Sequence, residues 1–114
     1  MAIHMIRQPA TEQQIREMLQ RLGDYIKLAV DVDRGVLAGG GELHADCEEI
    51  LLEDGSRQDD IWGADWKPEQ RLVEFHSFIN IRPRLGNRSS EIQSRALRER
   101  IEAIVRRLLE APTR

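Results

Sequence analysis

The spacing of apolar residues divides the chain into short helical and extended segments. Residues 2–7 set Ile3 and Met5 on one side of an extended stretch with His4 between them, and Pro9 then stops it, so a short edge strand is expected. Thr11 followed by Gln14 forms a capping-box pattern, in which each side chain satisfies a free backbone N–H of the first helical turn. The 3-1-3 spacing of Ile15, Met18, Leu19 and Leu22 predicts a helix over 11–22, and Gly23 is placed to end it. At Tyr25 the period changes to two. Ile26, Leu28, Val30 and Val32 alternate with Tyr25, Lys27, Ala29, Asp31 and Asp33, the pattern of a half-buried strand. Asp33-Arg34-Gly35 supplies turn chemistry, and Val36-Leu37-Ala38 returns as the second strand of a hairpin until Gly39, Gly40 and Gly41 break the pattern.

Segment 42–54 fits two structures. A helix there buries Leu43, Cys47, Ile50 and Leu51, with Leu52 at the margin of the stripe, sets Asp46, Glu48 and Glu49 near its N-terminus, and ends at Gly55. A strand alternates Leu43, Ala45 and Cys47 inward, then loses register at Glu48-Glu49. The helix is favoured because its stripe covers the whole segment. Residues 56–66, with Ile61, Trp62 and Trp66 around Gly63, read as a strand with a glycine bulge or kink, and 68–71 as a turn. One long strand is expected over 72–82, with Val73, Phe75, Ser77, Ile79 and Ile81 on the core face and a largely polar even face, ended by Pro83. Ser90 with Gln93 gives a second capping-box pattern, with Ser94 a competing start, for a helix over 90–110 that buries Leu97, Ile101, Ile104, Val105 and Leu108. The order β-α-β-β-α-β-β-α describes a single α+β domain with an antiparallel or mixed sheet covered by three helices.

Composition agrees with one ordinary globular unit: 114 residues, 40% hydrophobic and 32% charged. No apolar run reaches the roughly 18 residues of a membrane span, and residues 1–10 lack the apolar core of a signal peptide. With Cys47 the single cysteine, a cytoplasmic location is expected. The net charge of −3 hides a division: residues 1–81 hold 8 Lys/Arg against 16 Asp/Glu, while residues 82–114 hold 9 against 4. The acidic majority and the absence of a clustered basic stripe argue against nucleic-acid binding.

Two constellations could carry chemistry. In an extended segment, Glu42, His44 and Asp46 share one face about 7 Å apart and could hold a divalent metal or a water. In a helix, Glu42 and Asp46 share a face at i,i+4 while His44 points away, and a three-ligand site from this segment fails, so no metal site is assigned. A phosphate-loop reading of the glycines lacks the following Lys-Ser/Thr, and the nearby acids would repel phosphate. Glycines that let a hairpin pass close beneath a helix are favoured instead. The second constellation is the even face of the long strand and its loop: His76, Asn80, Arg82, Asn87, Arg88 and Ser89, with Glu74 and Arg84 beside them. Its guanidinium and amide donors could grip a carboxylate or phosphate, or could instead satisfy loop carbonyls and pair with the acidic block. Cys47, on an apolar stripe among acids, reads as a buried structural thiol, and Trp62 and Trp66 as core or dimer contacts.

The blocks Gly40-Gly41-Glu42-Leu43-His44-Ala45-Asp46, Leu52-Glu53-Asp54-Gly55-Ser56 with Gln58, Ile61-Trp62-Gly63, Ile79-Asn80-Ile81-Arg82-Pro83 and Gly86-Asn87-Arg88-Ser89 resemble those of a small uncharacterised prokaryotic family, a domain of unknown function. The resemblance spans about 5–109 and points to no particular reaction or cofactor. Two functions are therefore expected as alternatives. In the first, Glu42, His44 and Asp46 face Arg82 and Arg88 across a cleft that binds a small anionic or polar ligand, with hydrolytic chemistry in which Glu42 or His44 acts as base. In the second, the chain is a non-catalytic homodimeric binding or assembly module, and the same residues form a structural polar network.

Overall fold

In the computed structural model, which describes residues 3–114, five antiparallel strands form one sheet in the order β1-β3-β2-β4-β5. The strands are β1 His4–Ile6, β2 Ile26–Asp31, β3 Val36–Gly39, β4 Ile61–Lys67 and β5 Leu72–Glu74. The helices are α1 Glu12–Leu19, α2 His44–Glu53 and α3 Arg95–Val105. This is the expected α+β order. Ala2, where the expected edge strand begins, lies outside the described residues. Among the described residues no helix is long and apolar enough to cross a membrane.

The two faces of the sheet are covered by different helices. Leu28, Val30, Trp62, Ala64 and Trp66 pack with Ile15 and Met18 of α1 and with Ile101, Ile104 and Val105 of α3. Ala29, Ala38 and Ile61 pack with Cys47 and Leu51 of α2. Alternation along β2 therefore feeds two cores, and the strand is buried on both faces instead of the one its pattern suggested. Its last residue, Asp31, is also buried and turns the chain: its Oδ1 accepts the N–H groups of Asp33 and Arg34, each at 2.9 Å.

Capping chemistry fixes the helix ends. Thr11 and Gln14 exchange the two hydrogen bonds of a capping box, at 3.0 and 3.1 Å. Helix α3 starts from Ser94, whose Oγ accepts the Leu97 N–H at 3.2 Å, so the competing start prevails over Ser90. Five residues wound as a π-turn, Arg106–Glu110, then bring both Leu108 and Leu109 into the core. Helix α2 ends in a Schellman motif: Gly55, at φ +99°, donates to the Leu52 carbonyl and Ser56 to that of Leu51.

That C-terminus is also a charge hub. Asp54 accepts two bonds from Arg7, at 2.9 and 2.7 Å, and one from Arg34 at 2.6 Å, tying α2 to the segment after β1 and to the β2–β3 turn. Hydrogen bonds from Arg7, then Arg34, hold its carboxyl well below the usual carboxylate range. The hub's contribution to stability is complete above the ordinary aspartate pKa of about 3.9 and is lost as pH falls through the depressed folded value. Wild type is expected to be more stable than Asp54→Asn at neutral pH, with a gap in urea midpoint that narrows below about pH 3.9. A gap independent of pH would assign the difference to packing.

The expected long strand over 72–82 is not formed, which corrects the reading from alternation. β5 stops at Glu74, and 3-10 turns follow at Phe78–Asn80 and Pro83–Leu85. The cause lies on β4. Gly63 sits in regular register opposite Ala29 with no bulge, and a β-carbon there would lie 2.5 Å from Ser77 Cβ. The glycine admits Ser77, and the chain turns over β4 at that point. Inward and outward positions exchange as a result: Asn80, expected on the polar face, is buried, and Ile81, expected in the core, is 45% exposed.

Candidate functional site

The glycine run joins β3 to α2. Gly39 packs between β2 and α1, where a β-carbon would meet Leu28 Cδ2 of β2 at 2.6 Å and Met18 Sδ of α1 at 3.3 Å, and Gly41 packs against α2, where it would meet Cys47 Sγ at 3.2 Å. Gly40, at φ +104°, makes the turn between them. These are close approaches of backbone to helices, as favoured from the sequence.

Helix α2 begins only at His44, so Glu42 precedes it, yet Glu42 and Asp46 lie on one side and His44 on the other. Glu42 and Asp46 border a hollow of about 400 Å³ with Arg21 and Glu49, and Arg21 lies 3.5 Å from the Glu42 carboxylate. His44 instead lies over β4, its Nε2 2.9 Å from Asp65 Oδ1 and 3.1 Å from the Ala64 carbonyl oxygen. Both partners accept, so this geometry suits an Nε2 that carries the proton and donates. The three residues do not converge. Among the described residues no group of three or more His, Cys, Asp or Glu side chains is arranged to hold a metal ion. Cys47 is buried beneath α2, its thiol donating to the Lys27 carbonyl at 3.5 Å, and burial pushes its pKa up to about 11. A thiol so protonated is a poor nucleophile at neutral pH.

The second constellation forms one compact loop. Its ends are clasped by Ser77 N–H to the Ser90 carbonyl at 3.0 Å and Ile92 N–H to the Phe75 carbonyl at 3.1 Å. Between them, two buried amides act in place of backbone. Asn80 Oδ1 accepts the Gly63 N–H at 2.8 Å while its Nδ2 donates to the Gly63 carbonyl at 3.0 Å. The Asn80 side chain thus pairs with β4 where β5 has ended. Asn87 Nδ2 lies 2.8 Å from the carbonyls of Asn80 and Ser89 and 3.0 Å from that of Glu91, and its Oδ1 accepts the Gln93 N–H at 2.9 Å. Ser89 Oγ accepts the Glu91 N–H, and His76 Nε2 meets Ser90 Oγ at 2.8 Å. Arg88 is exposed.

Arg82 meets the acidic block, but at Glu48. Its Nη2 donates to Glu48 Oε2 at 2.8 Å, and Nη1 donates to the carbonyls of Gln58 and Ile61 at 2.8 and 2.5 Å. The guanidinium lies over the Trp62 ring, 5.2 Å from its centroid. Both charged side chains of the pair are nearly buried, at 12% and 11% exposure. Burial pulls the Arg82 pKa down and the Glu48 carboxylate opposes that shift. The structure therefore joins His76, Asn80, Asn87 and Ser89 in one loop and ties Arg82 to α2, while Glu42, His44 and Asp46 find other partners.

The sequence singles out neither Asp65 nor Phe78, marks Gly63 only as a bulge or kink, and gives Glu48 no partner of its own. Phe78 is the most exposed large apolar residue described, at 83%, and Ile81 lies beside it. Its only sequence signal is an aromatic residue on the face that alternation made polar. Phe78 forms one wall of a recess of about 300 Å³, which Ile79, Ile81 and Pro83 border and which Glu48, Asp59, Arg82 and Arg84 also line. Arg84 donates to both Asp59 oxygens, at 3.2 and 2.6 Å, and thereby lowers the Asp59 pKa.

A family model described as a protein of unknown function, DUF5674, matches residues 4–108. No curated protein and no solved structure matches the chain.

Proposed function

Because the chain belongs to the DUF5674 family, whose function is unknown, the functional reading rests on geometry, and we propose a non-catalytic binding module that presents the loop 78–89 to a partner protein. The observation that carries this reading is Phe78, 83% exposed on a loop whose Asn80, Arg82 and Asn87 donors are engaged within the chain. Aromatic side chains are favoured anchors of protein interfaces. A loop already held in place loses little entropy when it docks.

A small anion in a cleft between 42–46 and 80–89 has less support. Arg82 already has a carboxylate and two carbonyls, and Glu42 and Asp46 border a separate hollow. A cytoplasmic location goes with this reading, supported by the lone buried Cys47, which suits a reducing compartment.

The test is a photo-crosslinking phenylalanine analogue at position 78, irradiated in the cells that make the protein. A protein adduct at 78, absent from the same analogue at the exposed Gln13 of α1, is expected. Equal labelling at both positions, or none at 78, overturns the reading.

A further inference from the structure

Phe78 follows β5 at one edge of the sheet, and β1 forms the other edge. We infer that β1 accepts an extended basic segment of a partner protein, rich in lysine or arginine, as a further strand of the sheet, independently of the Phe78 loop. The hydrogen-bond pattern leaves β1 open. Gly40 N–H donates to the Lys27 carbonyl at 3.1 Å, in line with the β2–β3 register, so the even-numbered residues of β3 turn their backbone groups toward β2. Leu37 and Gly39 therefore face β1, and their partners Ile6 and His4 spend their N–H and C=O groups on β3. Met5, between them, turns both groups outward, and no backbone hydrogen bond among the described residues uses either. Edges are usually blunted by lysine, proline or a bulge. β1 keeps regular register and holds none of these, so an added strand can pair with it at Met5.

Charge names the partner. Ile3 and Met5 are half-buried on the face that α2 covers, packed against its core. The hollow of about 400 Å³ there is lined by Ile3 and Ile50 together with the carboxylates of Glu42, Asp46, Glu49 and Glu53. Asp46, Glu49 and Glu53 recur at three and four residues, so α2 presents them on one face. Arg21 is the cation lining this hollow, and it pairs with Glu42; Asp46, Glu49 and Glu53 have no ion-pair partner among the described residues. A strand added to β1 sends every second side chain toward this face. Lysine or arginine at those positions can lay its stem on Ile3 and Ile50 and carry its charge to the unpaired carboxylates, whereas an acidic segment is repelled. Met5 also borders a hollow of about 460 Å³ with Pro9, Thr11 and Gln14, so the edge is open on that side as well.

Fluorescence anisotropy with the purified full chain and a fluorescein-labelled peptide of alternating lysine and threonine tests this. Saturable binding is expected below about 1 mM, the weak end of specific association, while the counterpart of alternating glutamate and threonine does not bind. Combining Glu49→Lys with Glu53→Lys should weaken binding about tenfold, because two attractions become repulsions. Met5→Pro removes the outward N–H at a position where an edge strand tolerates proline, and should abolish binding while circular dichroism shows the fold unchanged. The lysine peptide methylated at its backbone nitrogens keeps its charge but cannot donate to a strand, and should not bind either. If Met5→Pro does not fold, the methylated peptide decides. No binding of the lysine peptide, or equal binding of the methylated peptide, of the glutamate peptide or by folded Met5→Pro, overturns the inference and leaves the Phe78 reading as it stands.

Discussion

Replacing Arg82 with alanine is expected to destabilise the fold by about 3–5 kcal/mol, the range for removing one partner of a buried ion pair. The substitution leaves Glu48 nearly buried and unpaired and strips the Gln58 and Ile61 carbonyls of their donor. It also uncovers the Trp62 ring. Lysine at 82 should recover only part of the loss, because one ammonium cannot reproduce the planar fork that meets a carboxylate and two carbonyls at once. Combining Arg82→Ala with Glu48→Gln separates the causes. If the orphaned charge dominates, the double variant is more stable than Arg82→Ala alone. Urea denaturation of the four proteins at neutral pH measures this. A change below about 1 kcal/mol for Arg82→Ala, the scale of an exposed pair, would mean that the guanidinium is free to serve a ligand.

Asn80→Ala should act through β4. Both backbone groups of Gly63 that face the loop depend on this one amide, and alanine leaves an N–H and a carbonyl without partners beneath the loop. Each unsatisfied buried group costs about 1–3 kcal/mol, so a total loss of about 2–6 kcal/mol is expected. Asn80→Asp retains an acceptor for the Gly63 N–H but sets a carboxylate against the Gly63 carbonyl, and should be no better tolerated. Thermal melts provide the measurement. An Asn80→Ala protein with an unchanged melting temperature would show that water replaces the amide and that the loop is held by its ends alone.

These residues mark where the sequence could be read and where it could not. The start and stripe of helix α1 were legible because they are local: Thr11, Gln14, Ile15 and Met18 lie within one short segment, although the helix ends at Leu19, before the expected Leu22. Helix α2 was legible because the apolar stripe ran through the point where a strand would lose register. The end of β5 was not. Its cause is Gly63, which lies 17 positions from the Asn80 that replaces the strand, and alternation of apolar residues carries no record of that contact. The candidate site followed the same division. Asn80, Arg82 and Asn87 stood out as polar groups in unusual number, but their partners are distant in sequence, 34 positions in the case of Arg82 and Glu48. The helix expected over 42–54 starts only at His44, so the separation of His44 from Glu42 and Asp46 owes nothing to helical spacing at Glu42, and nothing local pointed to Asp65. The exposure of Phe78 follows from the same turn that buried Asn80, so it became visible only with the fold.

The Gly63 amide gives the loop a clock. In a regular sheet a central-strand N–H exchanges with solvent only when strands separate, whereas this one is covered by a side chain from a segment outside the sheet. Deuterium uptake at Gly63 therefore reports the opening of 78–89, while uptake at neighbouring amides bonded to β2 reports the unfolding of the sheet. If the two occur at the same rate, loop and sheet form one cooperative unit, and whatever docks on Phe78 also steadies the core.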